Sequence, residues 1–459
     1  MTSHTGTSHP QTTPSMTSPT TASHAIASDP PAAPSADQII AATNAQRDLA
    51  TQLFESLRRG STDAPGITRD TYGAGENFAH GLVRDHALRL GLDIATDAAA
   101  NTYITLPGRD RTAPHILTGS HLDSVPHGGN FDGAAGVVAG LVAVAALRAV
   151  GVTPACDITV MGVRAEESVW FEVSYLGSRS ALGTLPPGAL DARRIDTGRT
   201  LADHLEACGG DPALLRAGHR HLDPRALRAF LEVHIEQAPS LVEAGLPLAI
   251  CTAIPGNFRY PNAWIAGEYA HVGLPRRFRR DAVMAAAEFA AGMDRLWAAH
   301  EAEGRPMALT LGRFHTDPAK HGLTTVPGAF HFSLDVRAYD DAQLAELERG
   351  MGDIIADIER RRGVTFHMGP RASAVVGKMD ASIRARLVEG ARVLGIPAMT
   401  LGSPASHDAA AFAAAGVPTA MMFVRNQNGS HNPHEAMEME DFMCAASLLA
   451  WWLAENTGA

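Results

Sequence analysis

The stretch HILTGSHLDSVPHGGNFDGAAGVVAGLVAVAALRAV, residues 115–150, decides the fold. HILTGS (115–120) is a short apolar run closing on Gly119 and Ser120, a buried-strand signature. From Ala134 to Val150 the chain reads as an apolar helix. Between the two, a tight glycine-rich turn carries His121, Asp123 and Asp132. Imidazole and carboxylate are the donors that a hard or borderline metal takes, with a further carboxylate to orient the imidazole.

The same pattern recurs outward from this stretch. ITVMGVRAEE (158–167), FLEVHIEQ (230–237) and PTAMMFV (418–424) read as strands, the first two with acidic or imidazole residues towards their C-terminal ends. Strands alternating with helices predict an α/β layer on a mainly parallel sheet. Ligands of such sheets collect beyond the carboxyl ends of the strands. A helix is expected near 36–59.

The middle of the chain has a different rhythm. NAWIAGEYA (262–270), MALTLGRFH (307–315), AFHFSLDVRA (329–338) and VTFHM (364–368) read as strands, with helices over 281–303 and 342–363. That order is βαββαβ, a ferredoxin-like unit. In AFHFSLDVRA, Phe330, Phe332, Leu334 and Val336 alternate with His331, Ser333, Asp335 and Arg337, so one face is core and the other faces solvent or a site. The expected organisation is a tail over 1–36, a metal-binding catalytic domain over 37–254 and 371–459, and a small inserted domain over 255–370. The tail is rich in Thr, Ser, Pro and Ala and is expected to be disordered, because it cannot bury enough surface to offset its ordering entropy. It lacks the basic start and apolar core of a signal peptide.

Composition narrows the function classes. Hydrophobic residues make up 45% and charged residues 19%, as in a soluble globular protein. No apolar run is long enough to span a membrane. A formal charge of −11 argues against nucleic acid as partner, since phosphate binding needs a basic face. Cys156, Cys208, Cys251 and Cys444 lie far apart with no CxxC pair, which fits reduced thiols in a cytoplasmic protein.

His121 and Asp123 lie two apart, so on an extended segment they project to one side and Asp123 can accept the second ring N–H of His121. Asp132, taken alone, reads equally as a helix cap. Glu166 and Glu167 are neighbouring carboxylates after an apolar run, which repel unless a cation or proton separates them. One can ligate metal while the other serves as general base. His234, alone, reads as a core histidine, and His431 as a loop histidine. Together these residues match a two-metal hydrolytic site, with ions about 3.5–4 Å apart.

TGSHLDSVPHGGNFDGAAGV, RAEES followed by LGSRSALG, LEVHIEQAP, HVGLPRRFRRDA and SHNPHE occur in this order. Over roughly residues 40–459 the chain resembles the hydantoinase/carbamoylase branch of the aminoacylase and carboxypeptidase G metallohydrolases. Its members include N-carbamoyl-L-amino-acid hydrolases, allantoate and ureidoglycolate amidohydrolases and β-ureidopropionases. The resemblance implies two divalent ions (Zn, Mn, Co or Ni) and a homodimer formed through the inserted domain. It implies that His121 and His234 hold one ion, Glu167 and His431 the other, with Asp132 bridging. Glu166 becomes the general base, Asp123 orients His121, and His271 stabilises the oxyanion. Arg337 binds the substrate carboxylate, for which a bidentate guanidinium is suited. Gln237 and His407 lie in matching motifs and are assigned to the substrate.

Three departures bear on substrate. Thr324 stands where the family usually has asparagine, and loses that amide's paired donor and acceptor. Trp170 stands where arginine is common, and Arg276 and Arg277 are unusual additions after His271. The leading expectation is hydrolysis of an N-carbamoyl-L-amino acid to amino acid, CO2 and ammonia. Allantoate or ureidoglycolate hydrolysis, N-acyl-amino-acid hydrolysis and dipeptidase activity are the alternatives. A non-catalytic binding protein on the same fold is the reading from another class; loss of a metal donor or of Glu166 would have favoured it, and none is lost.

Overall fold

The computed structural model describes residues 1, 6 and 34–457. The tail expectation lies almost wholly outside them. Helix begins at Ala36, where Ser35 and Gln38 form a capping box. The single helix expected over 36–59 is two, Ala36–Asn44 and Arg47–Ser61. The first ends on Ala45, whose N–H bonds back to Ala41, and the second restarts at Gln46 without a side-chain cap.

Eight strands form the main sheet, in the spatial order 93–96, 102–106, 158–163, 115–121, 227–235, 419–424, 248–251 and 398–401. The strands His115–His121, Ile158–Val163, Leu227–Ile235 and Thr419–Val424 run parallel to one another, as their alternation with helices predicts. The pairings 93–96 with 102–106, 102–106 with 158–163, and 419–424 with 248–251 are antiparallel. The sheet is thus largely parallel at its centre.

The helix Ala134–Ala149 buries nearly its whole circumference, between the sheet and the C-terminal helix Met439–Asn456. That is why its sequence lacks a polar stripe. Gly136 makes this close approach possible, since a Cβ there would sit 2.3 Å from the carbonyl oxygen of Val233. The parallel strands bring their C-terminal ends to one edge, so His121, the Glu166–Glu167 pair, His234 and the loop carrying His431 converge from four separate parts of the chain.

A second sheet has the order 307–310, 329–338, 256–266, 365–367, all antiparallel, with 314–316 and 372–374 beside the two central strands. The helices Ala282–Ala302 and Asp341–Arg362 pack on it around a separate core that includes Phe258, Phe289, Phe332, Leu347 and Met351. The strand Ala329–Ala338 alternates as its sequence predicts, with Phe330, Phe332, Leu334 and Val336 buried. Two strand expectations need adjusting. The stretch 307–315 is split into Met307–Thr310 and Phe314–Thr316, beside a register shift between Phe332 and Leu334. The strand expected over 262–270 starts earlier, as Gly256–Ala266, and the pair Ala270–His271 belongs instead to a short ribbon with Thr325–Val326.

Among the described residues no helix is long and apolar enough to cross a membrane, and all four cysteines are free.

Candidate metal centre and substrate cleft

Asp132 is the hub of the site. It lies two residues before the helix Ala134–Ala149, whose N-cap is Gly133, and its side chain does not cap that helix. Instead Oδ1 lies 3.4 Å from Nε2 of His121 and 3.2 Å from Nε2 of His234, while Oδ2 lies 3.4 Å from Nε2 of His431. His431 Nε2 is in turn 3.4 Å from Oε1 of Glu167. The two imidazole nitrogens of His121 and His234 are 3.4 Å apart. Bonds of about 2.0–2.1 Å to a tetrahedral ion place its ligands roughly 3.3–3.4 Å from one another. The triad His121–Asp132–His234 has that spacing throughout, and in Asp132–Glu167–His431 the histidine lies 3.4 Å from each carboxylate; the two triads share Asp132 through its two oxygens.

The backbone is bent to make this arrangement. Gly133 has φ +65°, and a Cβ on it would press within 2.4 Å of the His121 ring. Ala165, immediately before the glutamate pair, has φ +57°, and His431 has φ +59°. Non-glycine residues in the left-handed region carry strain, and that strain collects at functional sites.

The electrostatics are those of a pocket built around positive charge. Burial alone would raise Asp132, but the three imidazoles hold it well below the usual carboxylate range. Burial pushes Glu167 up to about 7, and the nearby Asp132 charge adds to this. Burial likewise raises Glu166 well above its ordinary value, with Glu167 contributing and His121 opposing. His431, bonded to Asp132, is raised to about 9. Against burial, the carboxylates beside them raise His121 and His234 as well, so the imidazoles hold protons that a cation would displace.

Behind the donors lies a supporting layer. Asp123 is fully buried, 3.3 Å from Nδ1 of His121, and accepts the backbone N–H groups of Glu166 and Glu167 at 3.1 and 3.2 Å. His234 is fixed by Nδ1 against the carbonyl of Ile235 at 2.9 Å.

The donors form the floor of a cleft of about 530 Å³, which Arg337, Gln237, His407, Tyr175 and Asn257 also line. The model of the peptidase family M20/M25/M40 matches residues 117–455, a span containing every one of these donors. The chain belongs to that family. Over 88% of its length it is 34% identical to the N-carbamoyl-L-amino acid amidohydrolase of Geobacillus stearothermophilus, covering 98% of that relative. It is 30% identical to the allantoate amidohydrolase of Escherichia coli (strain K12), with 86% of this chain and 94% of the relative covered. A hydantoinase/carbamoylase family amidase from Burkholderia ambifaria superposes with a TM-score of 0.76 at 28% identity, over 89% of this chain and 98% of that one. These matches agree with the branch that the motifs indicate. The protein is a hydrolase of amide-type bonds, and its His/Asp/Glu groups suit the divalent metals that M20 hydrolases use.

The M20 fold sorts the remaining sequence expectations by place. Gln237 donates to Asp132 Oδ2 at 2.7 Å and so sits against the donor cluster. His407 packs against His234 with the rings tilted by 54° and their centroids 4.2 Å apart, and its Nε2 is 3.0 Å from Ser403 Oγ. Burial holds His407 well below the ordinary imidazole value. His271 and Thr324 lie together, joined by the bond from Val272 N–H to the Thr324 carbonyl, on an exposed ribbon outside the cleft lining. Arg276 and Arg277 are exposed on the same loop. Trp170 is buried beneath the site, donating to the Ser124 carbonyl at 2.9 Å with the Arg194 guanidinium 4.6 Å over its ring.

Several residues of the site escaped the sequence reading. Arg69 is fully buried and donates from Nε to the Leu122 carbonyl at 2.8 Å and from its terminal nitrogens to the carbonyls of Asn130 and Asp132. Glu435 accepts the N–H groups of Phe131 and Asp132 at 2.7 and 3.3 Å, and the Ser430 hydroxyl at 2.7 Å. Glu435 closes the SHNPHE motif that carries His431. No periodicity singles out Arg69. Asn257 and Arg259 sit in a strand that begins before the stretch the sequence suggested.

Proposed function

We propose that this protein is a binuclear metal-dependent amidohydrolase that hydrolyses an N-carbamoyl-L-amino acid to the amino acid, CO2 and ammonia. The observation that carries this reading is the pair of donor triads meeting at Asp132, with Glu166 beside them in neither triad. His121, Asp132 and His234 would hold one ion, and Asp132, Glu167 and His431 the other. Zn, Mn, Co and Ni all suit imidazole and carboxylate donors. Ions bound there supply Lewis acidity towards the carbonyl and the attacking water.

The chain's own residues do the rest. Asp123 fixes the ring of His121 and, through two backbone N–H groups, the positions of Glu166 and Glu167. Glu166 takes a proton from water as its oxygen bonds to the carbamoyl carbon, then delivers that proton to the departing amino-acid nitrogen. The carbamate released breaks down to CO2 and ammonia. The raised proton affinity of Glu166 suits a group that must both accept and return a proton near neutrality. Arg337 receives the substrate carboxylate, and Gln237 and His407 line its path. His271 is assigned to the oxyanion and Thr324 to the substrate; both would reach the cleft on closure or from a second chain.

The four-stranded antiparallel order and separate core of the second sheet support a ferredoxin-like inserted domain over about 255–370, serving as lid and dimer contact, between the two parts of the catalytic domain. The protein is assigned to the cytoplasm as a homodimer.

The test is ammonia release by Mn²⁺- or Zn²⁺-loaded protein from N-carbamoyl-L- and D-amino acids, allantoate, ureidoglycolate and β-ureidopropionate, with free amine scored from an N-acetyl-amino acid and a dipeptide. Chelator-sensitive turnover of N-carbamoyl-L-amino acids is the expected result. Turnover confined to allantoate, in line with the Escherichia coli relative, or to ureidoglycolate would move the substrate within the same chemistry. Turnover confined to the N-acetyl-amino acid or dipeptide would replace it.

A further inference from the structure

The wall of the cleft opposite the metal donors is formed by one face of the second sheet, and that face carries an unusual square of polar side chains. Asn257 and Arg259 lie two apart on one strand, and Asp335 and Arg337 two apart on its antiparallel neighbour. Arg259 stands directly across from Asp335, and Asn257 directly across from Arg337. Residues two apart on a strand share a face, and directly opposed residues have their side chains in reach of one another. Arg337 engages Asp335 with two nitrogens, at 3.3 and 3.1 Å, and Arg259 reaches the same carboxylate at 2.8 Å.

Two guanidiniums therefore share one carboxylate. Asp335 fixes the orientation of both and neutralises only one. Each guanidinium has five N–H donors, so most remain for a ligand. The carbonyl oxygen of Asn257 is occupied by the backbone N–H of Ala374, which leaves its amino group as a further donor. The next strands outward place Ala372 and Ala374 beside Arg259 and Asn257, and Ala308 and Thr310 beside Arg337 and Asp335. With short side chains on both flanks Arg259 is exposed and Asp335 and Arg337 are half-buried, while Asn257 is buried at the edge of the cleft lining. On another wall, half-buried Arg179 lines the same cleft and makes no ion pair among the described residues. Glu172, on the exposed rim, makes none either.

One carboxylate, taken by Arg337, leaves the free N–H donors of Arg259 and the amino group of Asn257 without an acceptor. We infer that the substrate is a ureido dicarboxylate, the N-carbamoyl derivative of an acidic amino acid. Its second carboxylate is received by Arg259 with Asn257, and Arg179 adds positive charge from the other wall. This specificity rests on the amidohydrolase reading above and narrows it. Arg259 is a specificity-determining residue here, and Asp335 the group that positions it.

The experiment compares isosteric pairs on the metal-loaded protein: N-carbamoyl-L-glutamate against N-carbamoyl-L-glutamine, and N-carbamoyl-L-aspartate against N-carbamoyl-L-asparagine. The expected kcat/KM ratio favours the diacid by about tenfold or more, the scale of a charge-assisted hydrogen-bonded pair. Arg259→Gln should collapse that ratio towards one, chiefly through KM for the diacid, and Arg259→Lys should restore part of it. Should Arg259→Gln fail to fold, as judged by thermal melting, Arg179→Gln is expected to lower the same ratio. Turnover of the amides equal to or faster than that of the diacids overturns this inference and leaves the amidohydrolase reading intact. Absence of turnover for every ureido acid overturns the parent reading and this one with it.

Discussion

One oxygen of Asp123, Oδ1, accepts the backbone N–H of Glu166 at 3.1 Å while lying 3.3 Å from Nδ1 of His121. The group that orients a metal donor thus also sets the position of the proposed base. Its other oxygen takes the N–H of Glu167 and the Thr71 hydroxyl, so the carboxylate is fully engaged.

Asp123→Asn should therefore act on metal and base together. An amide can present an N–H where a carboxylate only accepts, so one of these bonds is lost or reversed. Metal affinity is expected to fall about 10–100-fold, the scale for a partner that orients a histidine ligand. Competition with a fluorescent chelator measures it, and unchanged affinity would rule out this role for Asp123.

Arg69 offers a stability prediction. Its guanidinium is buried and bonded to three main-chain carbonyls around the Asp123–Asp132 turn. Arg69→Met takes a donor from each of those carbonyls, of which Asp132 keeps the Ala134 N–H, and removes the cation beside the buried carboxyls of Asp132 and Glu435. The expected cost is about 3–5 kcal/mol in denaturant unfolding. Arg69→Lys should rescue little, since an ammonium cannot reproduce the planar fork. A loss below about 1 kcal/mol for the Met variant would show that the turn holds its shape unaided.

The contrast between Arg69 and His121 shows what the sequence makes legible. His121, Glu166, Glu167 and His234 lie at or just past the ends of apolar strands, so local pattern places them, and a parallel sheet then brings those ends together. Asp123 was readable from its spacing of two. Asp132 was ambiguous locally, and only its distance to three histidines separates donor from cap. Arg69, Glu435 and Asn257 act through contacts across scores of residues, and nothing in their neighbours' periodicity marks them. The break at Ala45–Gln46 is likewise invisible, because that segment is composed like a continuous helix, whereas Gly312 marks the split of 307–315.

Glu288 gives a pH prediction away from the site. Arg362 and Arg361, both bonded to it, pull its carboxyl down to about 2 from an ordinary 4.5. A folded-state value below the unfolded one means that folding favours the ionised form. The contribution is complete above about pH 4.5 and is lost as the pH falls towards 2. Solvent screening of this partly exposed cluster limits it to about 1 kcal/mol. Melting curves of wild type and Glu288→Gln should differ at pH 7 and converge near pH 2–3. A gap that persists undiminished at low pH would assign the effect to packing.

The central claim is tested most directly by Glu166→Gln. Wild type and variant, loaded with Mn²⁺ or Zn²⁺, are assayed for bound metal and for ammonia release from an N-carbamoyl-L-amino acid. Both are predicted to hold two ions per chain, with release in the variant reduced about 10²–10⁴-fold, the contribution of a positioned acid–base group. A variant as active as wild type, or a wild type that holds two ions and releases no ammonia from any ureido acid, would contradict the account.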